Sequence, residues 1–316
     1  METQAFVASI RRPRFRRASQ SPAFRLTDDD AVIVRLLARH RFLRSTHIAA
    51  LVGRSLDRTN DRLSRLFHAG YLDRPRAQLD YYPTAGSAPM VYALGDRGAR
   101  LLIDRDGVDV GNVERSRNNH RAGRPFIEHR LEVVDFYMAL RQATIIHGDI
   151  RLLHPDELIA AFPDQSFSEG NPFALRANLS HRGTMMPIAV VPDLVFGLQF
   201  ADGSRRHFLV EIDRGTMPVE RSDIRQSSFE RKMRAYLAVH TARLHQRHFG
   251  WETFRVLTVT TDQYRVESMR QVLRYIRPAR GIGASLFYFT PRAELCGGYP
   301  LTHAWQDGHG RDVRLI

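Results

Sequence analysis

Three carboxylates, Asp193, Glu211 and Asp213, are spaced so that one hairpin would gather them. Residues 191–200 are rich in β-branched and aromatic side chains, Ala201-Asp202-Gly203-Ser204 has turn chemistry, and residues 206–212 form a second apolar run. Side chains on a strand alternate faces, so Glu211 and Asp213 point the same way, and antiparallel pairing sets Asp193 beside them. Three converging acids repel one another unless a divalent cation sits among them. A fourth residue stands out by rarity. Of the 47 Lys and Arg residues only one is Lys, Lys232, and it marks a position suited to a compact ammonium rather than a planar guanidinium. Lys232 borders the apolar stripe Phe229, Met233, Tyr236, Leu237, Leu244 of an expected helix after the hairpin, one turn before Tyr236. Glu132, on an amphipathic helix expected over 126–146, is a further candidate to complete the cation's coordination.

Pro192-Asp193, a gap of fewer than 20 residues, and Glu211-Ile212-Asp213 in an apolar strand resemble the pattern of the PD-(D/E)xK nuclease superfamily. The superfamily usually has Lys where this chain has Asp213. Some members place an acid there, and others supply the Lys from the following helix, as Lys232 would. The resemblance implies a Mg²⁺-dependent DNA phosphodiesterase with Asp193, Glu211, Asp213 and Lys232 as its site residues. The plain alternative is a solvated hairpin with acidic strand ends.

The elements that must position these residues follow from length and charge. At 316 residues the chain is long enough for two domains, each burying a core without disulfides. A net charge of +13 favours a polyanionic partner, and double-stranded DNA is the one expected. No apolar run approaches the roughly 20 residues of a membrane span, so no membrane partner is expected. An Arg-rich start with no apolar stretch after it and a single cysteine, Cys296, point to a cytoplasmic protein.

Residues 1–25 read as a flexible basic arm. Residues 26–106 carry the pattern of a winged helix-turn-helix: a helix opened by Thr27 and Asp30, a short helix stopped by Gly53, a third over 56–69, then strand-like runs at 71–74 and 90–94 around a loop. In that geometry the third helix enters the major groove and presents Arg58, Asn60, Arg62 and Arg65, while Arg74 and Arg76 on the wing face phosphates. Residues 107–124 read as a linker. Residues 125–316 follow the order helix, strand, hairpin, helix, strand, helix, strand, with 162–184 as a long loop. The fold expected is therefore α+β or α/β: an N-terminal winged helix followed by a restriction-endonuclease-like domain with a mixed sheet.

With these elements placed, the chain resembles the replication-relaxation family of plasmid and mobile-element proteins. The resemblance rests on LTDDDAVIVRLLARHRFL, YALGDRGARLL, EHRLEVVDFYMAL, the PD and FLVEIDRGT pair, and RKMRAYLAVH. It implies DNA binding in replication or DNA relaxation. Two other readings stand beside the nuclease: a DNA-binding regulator or replication accessory factor whose nuclease fold no longer cuts, and a transcription factor with a small-ligand sensor as its second domain. A second copy of the chain is the other partner expected.

Overall fold

Helix α1 (Asp28–His40) begins where the Asp30 carboxylate accepts the Thr27 N–H at 2.7 Å, and Asp28 and Asp29 add negative charge at the positive end of the helix dipole. Ala31, Ile33, Val34 and Leu37 bury the inner stripe of this helix. The computed structural model describes residues 14–19, 24–78, 88–107, 119, 121–163, 171–181, 183–276, 283–295 and 299–316. The chain is a mixed α and β fold that divides into two compact units, Met1–Val134 and Asp135–Ile316.

In the first unit, α1 is followed by β1 (Phe42–Arg44), α2 (Ser45–Val52) and α3 (Leu56–His68), then β2 (Leu72–Asp73), β3 (Val91–Leu94) and α4 (Asp96–Asp106). Gly53 ends α2 in the left-handed region at φ 67°, which a side chain would oppose. The three strands form an antiparallel sheet in the order β1-β3-β2. Helix α5 (Arg124–His147) gives Ile127 and Leu131 to a cluster with Phe42, Val91 and Ala93 of that sheet. Its first turns therefore pack in the first unit, and the division falls inside α5 rather than ahead of it. The expected linker lies mostly outside the described residues, as do residues 79–87, in the stretch read as the wing's loop.

The basic arm departs from expectation where it is described. Arg17 pairs with Asp73, donates to the carbonyls of Phe67 and Leu72 at 3.1 Å each, and lies over the Phe67 ring, while the Ala18 N–H donates to His68. A segment read as solvated by composition is held by a guanidinium that finds two carbonyls and a carboxylate at once.

The second unit is built on a seven-stranded mixed sheet. Its strands are β4 (Arg151–Leu153), β7 (Leu194–Gln199), β8 (Arg205–Ile212), β9 (Arg255–Thr260), β10 (Phe287–Pro291), β11 (Trp305–Asp307) and β12 (Asp312–Val313), in the spatial order β12-β11-β10-β9-β8-β7-β4. Strands β8, β9 and β10 run parallel, and the flanking pairs are antiparallel. The β7–β8 hairpin turns through residues 200–204, with Gly203 at φ 82° and the Phe200 N–H bonded to the Ser204 carbonyl at 3.0 Å. On one face Phe196 stacks on Phe208 at 4.9 Å and meets Phe136 of α5. On the other, Val195, Leu209, Val256, Phe287 and Phe289 pack with α7 (Phe229–Thr241) and α9 (Gln263–Ile276).

Between β4 and β7 the chain forms α6 (Pro155–Ala160) and an unexpected hairpin, β5 (Leu175–His181) with β6 (Thr184–Val190), where a long loop was read to 184 and a single strand from 191. The expected helix to residue 245 is broken into α7 and α8 (Leu244–Phe249), because Arg243 adopts φ 52°. Strands β11 and β12, also unexpected, close the sheet's far edge, and the short helix α10 (Arg292–Leu295) follows β10.

Asp30 is fully buried and carries both the α1 cap and the Arg62 guanidinium, one-fifth exposed. Asp30→Ala leaves that cation without its counter-charge and is expected to destabilise the first unit by about 3 kcal/mol. Denaturant unfolding of the full chain measures it, and a loss below about 1 kcal/mol would show that solvent carries the Arg62 charge instead.

Candidate functional site

The sheet register sets the site. Leu194 pairs with Val210, and the Asp193 N–H donates to the Val210 carbonyl at 2.9 Å, so Asp193 stands next to Glu211 at the strand ends. Asp193, Val195, Leu209, Glu211 and Asp213 share the parity that faces α7 and α9, while Phe196 and Phe208 take the other face. The Asp193 carboxylate is oriented by the backbone: its Oδ2 accepts the Ile212 N–H at 2.9 Å.

Glu211 is 1 % exposed. Its two oxygens have separate donors from α7, Lys232 Nζ on Oε2 at 2.5 Å and the Tyr236 hydroxyl on Oε1 at 2.5 Å. Lys232 and Tyr236 are four residues apart, so one helical face presents both. The phase of that face is set by Ser228, whose hydroxyl caps α7 by accepting the Arg231 N–H at 3.2 Å. Burial pushes the Glu211 carboxyl up to about 7, with Asp193 adding to the rise and Lys232 opposing it. Burial would lower the Lys232 ammonium, but the Glu211 and Asp193 carboxylates outweigh it and hold the group above its usual value. Tyr236 is held well above the usual phenol range, first by burial and then by the Glu211 charge, so it acts as a neutral donor. Tyr236 is the site residue that the sequence pattern placed only in the apolar stripe, and its i+4 spacing from the lone Lys was the available signal.

Asp213 goes elsewhere. Arg265 at the start of α9 engages both of its oxygens, and the Thr260 hydroxyl donates to Oδ2 at 2.6 Å. The strand parity placed Asp213 correctly by face, but a different helix lies above it, and a guanidinium satisfies it as an internal ion pair. Glu132 is a residue of the first unit, whereas Asp193, Glu211 and Lys232 belong to the second. Among the described residues no three of His, Cys, Asp and Glu come together as a metal-binding group. Of the three expected acids, Asp193 and Glu211 stand side by side with Lys232 on Glu211, and Asp213 is held by Arg265 and Thr260.

On α3 the structure separates the expected DNA contacts. Arg58, Asn60 and Arg65 are exposed, and Arg58 lines an open hollow with Gly53, Arg54 and Ser55. Arg62 instead pairs with Asp30, donates to the Arg25 carbonyl at 2.9 Å and lies 4.4 Å from the Phe24 ring centre. Arg74 is buried between the Phe67 and Tyr92 rings and donates to the Tyr92 hydroxyl and the Arg14 carbonyl. These two were read outward from helical and wing position alone; aromatic faces and buried acceptors draw them in. Arg76 remains exposed.

A family model for replication-relaxation matches residues 34–253, more than half the chain and both compact units. The chain belongs to the replication-relaxation family. The matched stretch includes α3, Asp193, Glu211, Lys232 and Tyr236 and stops before β9. Family membership supports a role in replication or relaxation of plasmid or mobile-element DNA. No curated protein and no solved structure matches the chain. Among the described residues no helix is long and apolar enough to cross a membrane.

The raised Glu211 carboxyl has a definite consequence for stability. The unfolded chain releases this proton near 4.5 and the folded protein near 7, so the contribution is fully present below 4.5 and is lost as pH rises through 7. Relative to Glu211→Gln, the wild type is expected to lose on the order of 3 kcal/mol over that window. Parallel pH dependence of the two Tm values would refute the assignment.

Proposed function

We propose that the protein binds duplex DNA through a winged helix in its first unit and cuts or nicks DNA through a divalent-cation site in its second. The observation that carries the second half is the pairing of Asp193 with Glu211 at the strand ends, with the chain's one lysine brought onto Glu211 from α7. The carboxyl ends of parallel strands are where open α/β sheets hold ligands.

The residues fit a hard cation. Two carboxylates supply the oxygen donors Mg²⁺ takes, and Glu211 carries a charge that burial penalises and a divalent ion would stabilise. Beside it in the β8–β9 register, Thr258 has a buried hydroxyl with no hydrogen-bond partner among the described residues. Bound there, Mg²⁺ would supply a water of lowered pKa and offset charge on a phosphate. The chain's own groups do the rest. The Ile212 N–H and the Tyr236 hydroxyl fix the two carboxylates, and Lys232 presents a proton donor and a positive charge at the rim of the site, where an attacking water or a phosphate oxygen would lie. Arg265 pairs with both oxygens of Asp213, whose charge still adds to the field that holds the Lys232 ammonium.

In the first unit, the arrangement of α1, α2, α3 and the β1-β3-β2 sheet supports the winged-helix reading. Arg58, Asn60 and Arg65 are the exposed readers on α3, Arg76 reaches phosphate, and Arg62 and Arg74 act as internal braces.

A second reading is favoured by one observation: Glu211 and Asp213 each have an internal cation, Lys232 and Arg265. On that reading the protein is a DNA-binding regulator or replication accessory factor, and the acids are scaffold.

Thermal melting with Mg²⁺ or Mn²⁺ separates the two. A live site raises the wild-type Tm by mass action, and Asp193→Ala abolishes the rise and any metal-dependent cleavage of supercoiled or linear DNA. Lys232→Arg is expected to impair cleavage as well, because the larger planar head misplaces the charge. Neither shift nor cleavage in wild type leaves the regulator. Arg58→Ala with Arg65→Ala is expected to weaken duplex binding and flatten its salt dependence, by about 0.9 in log-log slope for each phosphate that is no longer neutralised. Unchanged binding at two salt concentrations would remove α3 as the reader.

A further inference from the structure

The β5–β6 hairpin stands apart from the seven-stranded sheet, and its two faces differ sharply. Leu175, Ala177, Leu179, Ile188 and Val190 face inward and belong to the core that includes α7, the helix carrying Lys232 and Tyr236. The outer face pairs Arg176 with Ala189 and Asn178 with Pro187, and continues to Met185 near the tip. All five residues are exposed, Met185 at 63 %. An antiparallel ribbon with one face in solvent ordinarily carries a charged, mixed outer row. Among the described side chains that row holds one cation, one amide and small or apolar groups, and residues 171–192 contain no Asp or Glu at all.

The ribbon is also placed by the chain itself. Strand β6 ends at Val190, and Asp193 follows three residues later, about 10 Å of extended chain. Seven residues per strand give a ribbon of about 24 Å, longer than the roughly 12 Å width of a major groove, which admits a two-stranded ribbon.

We infer that the outer face of the β5–β6 hairpin is a docking surface for duplex DNA, laying the duplex along the ribbon toward Asp193. Arg176 contacts a phosphate, Asn178 a base edge or phosphate, and Ala189 and Pro187 form a low surface that lets the sugar-phosphate chain approach the backbone. Met185, near the tip, offers an apolar contact to base edges such as the thymine methyl in the major groove. The absence of acidic side chains selects a polyanion over an acidic or mixed protein surface. The inference rests on the cation-site reading only for the end of the ribbon at which the duplex meets chemistry; DNA contact at the ribbon is independent of cleavage.

The test uses the full chain in EDTA, where cleavage plays no part. With Met185 replaced by a benzophenone amino acid, irradiation with a DNA duplex is expected to give a covalent protein–DNA product. The same amino acid at Arg58 reports contact by α3. Arg176→Glu with Asn178→Asp is expected to lower duplex affinity at least tenfold and to shorten the footprint, with Tm unchanged because both side chains lie in solvent. A product at position 58 but none at 185 would overturn the inference, and so would a product at 185 that joins two copies of the chain. Wild-type affinity in the Arg176, Asn178 double variant would overturn it equally. Failure of the metal-dependent Tm shift in wild type, by contrast, would remove the cation-site reading and leave a position-185 product standing.

Discussion

A carboxylate with 1 % of its surface exposed must be satisfied from inside the protein, and Glu211 is the constraint around which the second unit is arranged. Two donors four residues apart on one helix do this, each on its own oxygen. That solution fixes the rotation of α7 about its axis, since turning the helix by one residue, about 100°, would carry both donors away. It also fixes the register between β7 and β8, because a one-residue slip would send Glu211 to the Phe196 face, among aromatic rings. The Ser228 cap and the packing of Phe229 and Met233 against the sheet hold α7 in the phase that Glu211 demands.

Much of this was legible beforehand. The alternation through residues 191–200 and 206–212 gave the hairpin and the face shared by Asp193 and Glu211, and the rarity of Lys singled out Lys232. What could not be read was tertiary. Arg62 and Arg74 occupy positions that helix geometry and the wing pattern turn outward, yet Asp30, Phe24, Phe67 and Tyr92 offer acceptors and π faces that local sequence does not reveal. The β5–β6 hairpin escaped because Pro187, the paired methionines and Asn178 blur its period, although Ala177, Leu179, Ile188 and Val190 keep the inward parity. The break after α7 depends on Arg243 accepting a left-handed backbone, which no propensity would assign to arginine.

Asp213 shows how narrowly such a site is defined. It shares the strand face of Glu211 and lies two residues away, and the period-2 argument treats the two alike. They differ in what lies above. Glu211 meets the middle of α7's first turns, whereas Asp213, beyond the end of β8, meets the first turn of α9 and the Thr260 hydroxyl at the end of β9. The spacing of helices over a sheet, roughly 10 Å between axes, is coarser than the repeat of same-face residues along a strand, roughly 7 Å, so neighbouring acids on one face fall under different helices.

The contrast between the two ion pairs gives the lone lysine a physical meaning that rarity alone could not. At Asp213 the Arg265 fork takes both carboxylate oxygens, and the Thr260 hydroxyl adds a further bond to Oδ2. At Glu211 the ammonium takes one oxygen and leaves the other to Tyr236, a neutral donor that keeps the carboxylate oriented without cancelling its charge. An arginine at position 232 would carry the same bidentate fork to Glu211, compete with Tyr236 and turn the second acid into a copy of the first. In a chain that uses arginine at every other Lys or Arg position, including the partner of Asp213, the one lysine meets a buried carboxylate at a single oxygen and leaves the other to Tyr236.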